Sequence, residues 1–128
     1  MDPPVIFIVD DDASVRTAIR RLLLSLHLPV RMFVSAEQFL AQTPPGTRGC
    51  VVMDLRLPGM SGLQLQQHLA GVEWNLPAII VTAHDDEVSR DTALRQGAIA
   101  YLRKPFDRQE FLASVHAAVA KSGKCGSS

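Results

Sequence analysis

The sequence has no charge excess: 13 Lys and Arg balance 13 Asp and Glu over 128 residues. That neutrality argues against a broad electrostatic footprint for nucleic acid or for an anionic membrane. Cysteine is scarce, with only Cys50 and Cys125, which excludes a disulfide framework and gives no zinc-like spacing. Cys50 lies in an apolar run and reads as a small core residue. Long apolar runs are also missing: Val5-Ile6-Phe7-Ile8-Val9 is far too short to span a bilayer. Met1-Asp2-Pro3-Pro4 lacks the basic start of a signal peptide, so a cytoplasmic protein with no membrane association is expected. Lysine is the rarest of the charged types, at Lys104, Lys121 and Lys124, and Lys104 precedes a proline.

Hydrophobic residues at 47% and charged residues at 20% suit one ordinary globular domain. Nine of the 13 acids are Asp, and Asp10, Asp11 and Asp12 are consecutive. Strand and helix signals alternate five times. Residues 5–9 are a β-branched and aromatic run, the mark of a strand buried on both faces. Strands are also expected at 30–34, 50–53, 77–81 and 99–102. Apolar residues at Val15, Ile19, Leu22, Leu23 and Leu26 have helical spacing, with Asp12 as N-cap. Ser35-Ala36-Glu37-Gln38 and Ser61-Gly62-Leu63-Gln64 have the capping-box pattern, and Asp107 opens a last helix. A helix over 85–95, ended by Gly97, is poor in apolar residues, with Val88, Ala93 and Leu94 as its inward choices. Arg16, Arg20 and Arg21 read as a solvated helix face. Five βα units predict an α/β, doubly wound, five-stranded parallel sheet with five helices in three layers. Residues 1–121 form that domain, and 122–128 read as a flexible tail or linker stub.

In such a sheet ligands bind at the carboxyl ends of the strands. Asp10 and Asp11 follow the first strand, Asp54 the third, Thr82 the fourth and Lys104 the fifth. Crowded carboxylates repel, and a hard divalent cation relieves that. A carboxylate can also attack a phosphoryl group, with a lysine and a hydroxyl serving its oxygens.

The motifs are Val9-Asp10-Asp11-Asp12, Met53-Asp54-Leu55-Arg56-Leu57-Pro58-Gly59-Met60-Ser61-Gly62, Val81-Thr82-Ala83 and Lys104-Pro105-Phe106. In this order they resemble the receiver domain of bacterial two-component response regulators, most like the FixJ/NarL-type transcriptional regulators. The resemblance implies the flavodoxin-like strand order 2-1-3-4-5, an order the general rule itself gives for a receiver protein. It implies a phosphorelay switch, phosphorylated on Asp54 by a sensor histidine kinase. Such a switch catalyses only its own phosphorylation and dephosphorylation. Asp11, Asp54 and the backbone carbonyl of Arg56 would hold Mg²⁺ (or Mn²⁺) directly, and Asp10 through a water. Lys104 would hold Asp54 and then the phosphoryl group, Thr82 would bond it, and Tyr101 would swing inward as a switch. Arg56 and His84 would tune the phosphoryl lifetime, and Pro105 would follow a cis peptide. The fourth helix, fifth strand and fifth helix would form the output surface and pair in a phosphorylation-dependent homodimer, with transcription controlled through a DNA-binding domain outside these residues. The alternative is a degenerate receiver acting as a phosphorylation-independent binding module. A phosphatase with an Asp nucleophile is disfavoured, because it would place a D-x-D pair after the first strand.

Overall fold

The computed structural model describes residues 3–83 and 86–123. Five strands, β1 (Val5–Val9), β2 (Val30–Phe33), β3 (Gly49–Met53), β4 (Ala78–Thr82) and β5 (Ala100–Arg103), form one sheet of order β2-β1-β3-β4-β5. All four pairings are parallel. Between the strands run α1 (Ala13–Leu23), a 3-10 turn (Leu24–Leu26), α2 (Ala36–Gln42), α3 (Gly62–Gly71) and α4 (Glu87–Arg95). The last helix, α5 (Arg108–Gly123), follows β5. No described helix is long and apolar enough to cross a membrane.

Side chains alternate across each strand, so the sheet divides the core in two. Phe7, Val9, Val51, Met53 and Ile80 pack with Phe39 of α2, Leu65 and Leu69 of α3 and Ala93 of α4. Ile6, Ile8, Cys50, Val52, Ile79 and Val81 pack with Ile19 and Leu23 of α1 and Phe111, Val115 and Ala118 of α5. The central strands β3 and β4 are buried along their whole length, which is why they read as unbroken apolar runs. Phe39 anchors the first core, edge-on to Phe7 and Phe33 and stacked on Trp74.

The expected caps are present. Asp12 accepts from the Ser14 N–H at 2.9 Å and from its hydroxyl at 2.7 Å. Ser61 and Gln64 complete a reciprocal capping box. At α2 the box is displaced by one residue: Ser35 accepts from the Gln38 N–H, but Gln38 Oε1 receives the Val34 N–H. The first helix stops short of Leu26, because the chain tightens into the 3-10 turn and His27 takes a left-handed conformation (φ 54°) before Pro29. Strand β4 begins after Pro77, whose carbonyl accepts from Val51, and extends to Thr82.

Three expectations need correction. Val88 and Leu94 do not face inward: they are 76% and 46% exposed, and only Ala93 of α4 is buried. At 3.6 residues per turn, positions five and six apart point about 140° and 120° away from each other, so the three cannot share one stripe. Arg16 is not merely solvated, since its Nη1 donates to the Asp10 carbonyl at 2.6 Å. Arg20 and Arg21 are exposed, as expected. Helix α5 continues two residues into the expected tail, and residues 124–128 of that tail lie outside the described part of the chain.

Candidate functional site

The ladder continues past the strand ends and holds the polar residues in register. Asp10 donates its N–H to the Phe33 carbonyl and Asp54 donates to Val9, both at 3.1 Å. Lys104 donates its N–H to the Thr82 carbonyl at 2.8 Å. Two crossovers therefore deliver Asp10 and Asp54 side by side, and β5 brings Lys104 across from the sheet's far edge.

The side chains meet on one ammonium. Lys104 Nζ lies 2.9 Å from Asp54 Oδ2 and 3.1 Å from Asp10 Oδ2. The other carboxylate oxygens are taken by backbone donors: Asp10 Oδ1 accepts from the Asp12 N–H at 2.9 Å, and Asp54 Oδ1 from the Arg56 N–H at 3.0 Å. Burial raises the Asp10 pKa, and the bonds from Asp12 and Lys104 offset only part of that rise. For Lys104, burial pulls the pKa down, but the two carboxylates outweigh it and the net shift is upward. The site is an ion triad in which one cation is shared by two carboxylates.

The segment after β3 is braced from two sides. Glu37 of α2 accepts the Met60 N–H at 2.8 Å, fixing the turn that follows Asp54. Gly62 opens α3 directly against the Asp54 carbonyl, so close that a Cβ there would collide with it. The bracing contacts of these residues, and that of Arg16, are not legible in the sequence pattern. Their partners lie six to twenty-three positions away, beyond any capping or periodicity signal.

The remaining expected residues are placed as follows. Asp11 lies two residues past the end of β1 and is exposed. Thr82 is the last residue of β4, not the one after it, and is fully buried. Tyr101 is half-buried in β5 and packs on the core beneath α2–α4. The Arg56 backbone reaches Asp54 while the residue as a whole is exposed. The Lys104–Pro105 peptide is cis, as the resemblance implied. His84 lies outside the described residues.

Among the described residues no three acidic, histidine or cysteine side chains converge as a ready metal cluster. The donor set nevertheless fits a hard divalent cation. Carboxylate oxygens of Asp10 and Asp54 already share a single positive charge, and Mg²⁺ needs only one or two carboxylates because it keeps several waters.

The family model for the response regulator receiver domain matches residues 6–116. The transcriptional regulatory protein TdiR of Thauera aromatica is 44% identical over 115 residues, covering 90% of this chain and 51% of that protein. The response regulator StyR superposes with a TM-score of 0.88 at 38% identity, over 95% of this chain and 62% of that one. FixJ-N superposes with a TM-score of 0.83 at 35% identity, over 94% of this chain and 96% of that one. The chain spans about half the length of the curated relatives it matches. With the strand order, the strand-end triad and these matches together, the chain belongs to the response regulator receiver domain family of two-component systems.

Proposed function

We propose that this chain is a phosphoacceptor switch in which Asp54 takes a phosphoryl group from a phosphohistidine of a sensor histidine kinase. Response regulators as a family receive phosphate from such kinases, and Mg²⁺ and phosphoaspartate are standard among receiver domains. Receiver domains of transcriptional regulators are generally not enzymes. The observation that carries the reading is the Lys104 ammonium held between Asp54 and Asp10.

An Asp54 oxygen attacks the phosphorus, the P–N bond breaks, and the imidazole leaves as the neutral base on gaining a proton. Lys104 is already bonded to Asp54 Oδ2, so it can follow the developing negative charge onto a phosphoryl oxygen without crossing the site. Thr82, at the end of the neighbouring strand, supplies a hydroxyl for a second phosphoryl oxygen. Tyr101 then moves inward. Asp11, Asp54 and the Arg56 carbonyl would hold Mg²⁺, with Asp10 acting through a water. The cation, when bound, neutralises charge between carboxylate and phosphoryl oxygens. Arg56 and His84 set the phosphoryl lifetime by governing access of water.

The response passes to the surface of α4, β5 and α5, where Val88 and Leu94 stand exposed and a second copy can dock. TdiR is named a transcriptional regulator and is about twice as long as this chain. On that basis the switch governs transcription in the cytoplasm through a DNA-binding part outside these 128 residues. The neutral receiver itself binds no nucleic acid.

The test is intact mass after incubation with Mg²⁺ and acetyl phosphate, beside an Asp54→Asn variant. One added phosphoryl group on the wild-type chain, absent from the variant and absent without metal, is expected. No adduct on the wild-type chain, with Mg²⁺ binding established separately and no beryllofluoride complex, would overturn the reading in favour of a phosphorylation-independent module.

A further inference from the structure

Between Asp54 and the start of α3 the chain forms neither helix nor strand, and its shape rests on a few backbone donors. The Arg56 N–H donates to Asp54 Oδ1 at 3.0 Å, and the Gly62 N–H to the Leu55 carbonyl at 3.0 Å. The Ser61 N–H donates to Gln64 Oε1 at 2.8 Å. Each of these bonds joins near neighbours in the chain, so together they shape the segment without tethering its tip. The Met60 N–H is different: it donates to Glu37 Oε2 of α2 at 2.8 Å, 23 positions upstream.

Both ends of that bond are shaped for it. Gly59 has φ 72°, a conformation that favours glycine, and a Cβ there would meet Glu37 Oε2 at 2.5 Å. The turn therefore presents the carboxylate with a bare Cα and, next to it, the Met60 N–H. On the other side, Ala36 and Phe39 of α2 are fully buried, and Ser35 accepts the Gln38 N–H to cap the helix. The start of α2 is thus anchored in the core, while Glu37 itself is exposed and adds nothing to that core. Its carboxylate is a strut from a fixed helix to the segment that follows Asp54.

We infer that Glu37 is a positioning residue for the divalent-cation site: by pinning Met60 it holds the segment that presents the Arg56 backbone beside Asp54. The inference rests on the reading of Asp54 and the Arg56 carbonyl as groups that hold the cation. A carboxylate in the first turn of α2 also suits the helix dipole, whatever Met60 does. The two roles need different things. The dipole needs the negative charge, whereas the Met60 N–H needs only an acceptor oxygen.

The test compares the wild-type chain with Glu37→Gln and Glu37→Ala, each titrated with Mg²⁺ and followed by NMR at the Arg56 and Met60 amides. Glu37→Ala is expected to weaken Mg²⁺ binding about tenfold, the lower end of the loss usual when an outer partner of a metal site is removed. Hydrogen exchange at the Met60 N–H should quicken in the same variant. Glu37→Gln keeps an acceptor oxygen and should recover most of the affinity and of the protection. The Mg²⁺ concentration that half-saturates labelling by acetyl phosphate should rise in step with the loss of affinity. Glu37 is exposed, so both variants keep the fold, which circular dichroism verifies. Wild-type Mg²⁺ affinity in Glu37→Ala would overturn the assignment. So would a Glu37→Gln variant as weak as Glu37→Ala, which would leave Glu37 as a charge at a helix start. A wild-type chain that binds Mg²⁺ but takes no phosphoryl group would fail the phosphoacceptor reading alone, and the three Mg²⁺ affinities would still decide the role of Glu37.

Discussion

Lys104 shows most directly how a single residue organises the site. It brings one charge to two carboxylates, one of them 1% exposed, and the triad is neutral only if Asp10 or Asp54 finds a further partner. Replacing Lys104 by Met leaves Asp10 buried with only the Asp12 N–H for compensation. That should cost about 1–3 kcal/mol at neutral pH, the usual penalty for an unmet buried polar group, read from urea unfolding. The pH dependence has a definite sign. The Asp10 carboxyl is raised in the folded state, so the cost of ionising it appears as pH rises through its folded value and vanishes in acid. The gap between variant and wild type should therefore narrow as pH falls into the carboxylate range, and a constant gap would contradict the triad. Lys104 is also raised, so its own contribution persists below the ordinary lysine value and is lost only in alkali. Gly62 is the other sensitive position. Gly62→Ala must push α3 away from the Asp54 carbonyl, costing about 1–3 kcal/mol by overpacking. Phosphoryl labelling by acetyl phosphate should slow with it, and an unaltered rate would detach α3 from the geometry of Asp54.

Among the elements, α4 is the least anchored. It has nine residues, one of them buried, and is held at its start by Asp86, which accepts from the Ser89 N–H at 2.7 Å and from its hydroxyl at 2.8 Å. These bonds hold the Asp86 carboxyl below the usual range, the backbone bond foremost. With the folded pKa below the unfolded one, the cap is complete above the ordinary Asp range and is lost as pH falls through the lowered value. An NMR titration should place the Asp86 midpoint below that of a free Asp side chain. Ser89→Ala should bring it part of the way back, since the backbone donor remains. A midpoint at the free value would remove the cap. A short helix with a narrow buried stripe has few contacts to lose, which suits the proposal that this segment shifts beside Thr82 and Tyr101.

At the scale of the molecule, the two cores differ in what they support. Helices α1 and α5 close one face with Ile19, Leu23, Phe111 and Val115 fully buried, whereas α4 meets the other face through Ala93 alone. The exposed Val88 and Leu94 are then available to a second copy. Sedimentation with and without beryllofluoride should show mass increasing only with the mimic and Mg²⁺, and Val88→Glu should block the increase. Unchanged mass at high protein concentration would rule out dimerisation through this surface.

Sequence alone determined the alternation of strands and helices, the caps at Asp12 and Ser61, and the strand-end positions of Asp10, Asp54 and Lys104. These signals are local: a buried strand reads as an apolar run, and a cap depends on donors within a few residues. Strand ends were legible only to within a residue, as Thr82 and Pro77 show, because pairing with neighbours decides where a strand stops. Tertiary structure alone decided which carboxylate oxygens share the Lys104 ammonium, why Glu37 and Arg16 brace the site, and that Val88 and Leu94 point outward. It also left the buried Gln66 amide bonded through its nitrogen alone. Each of these joins residues far apart in the chain, and their separation in space is set by crossovers and packing, which no local pattern encodes.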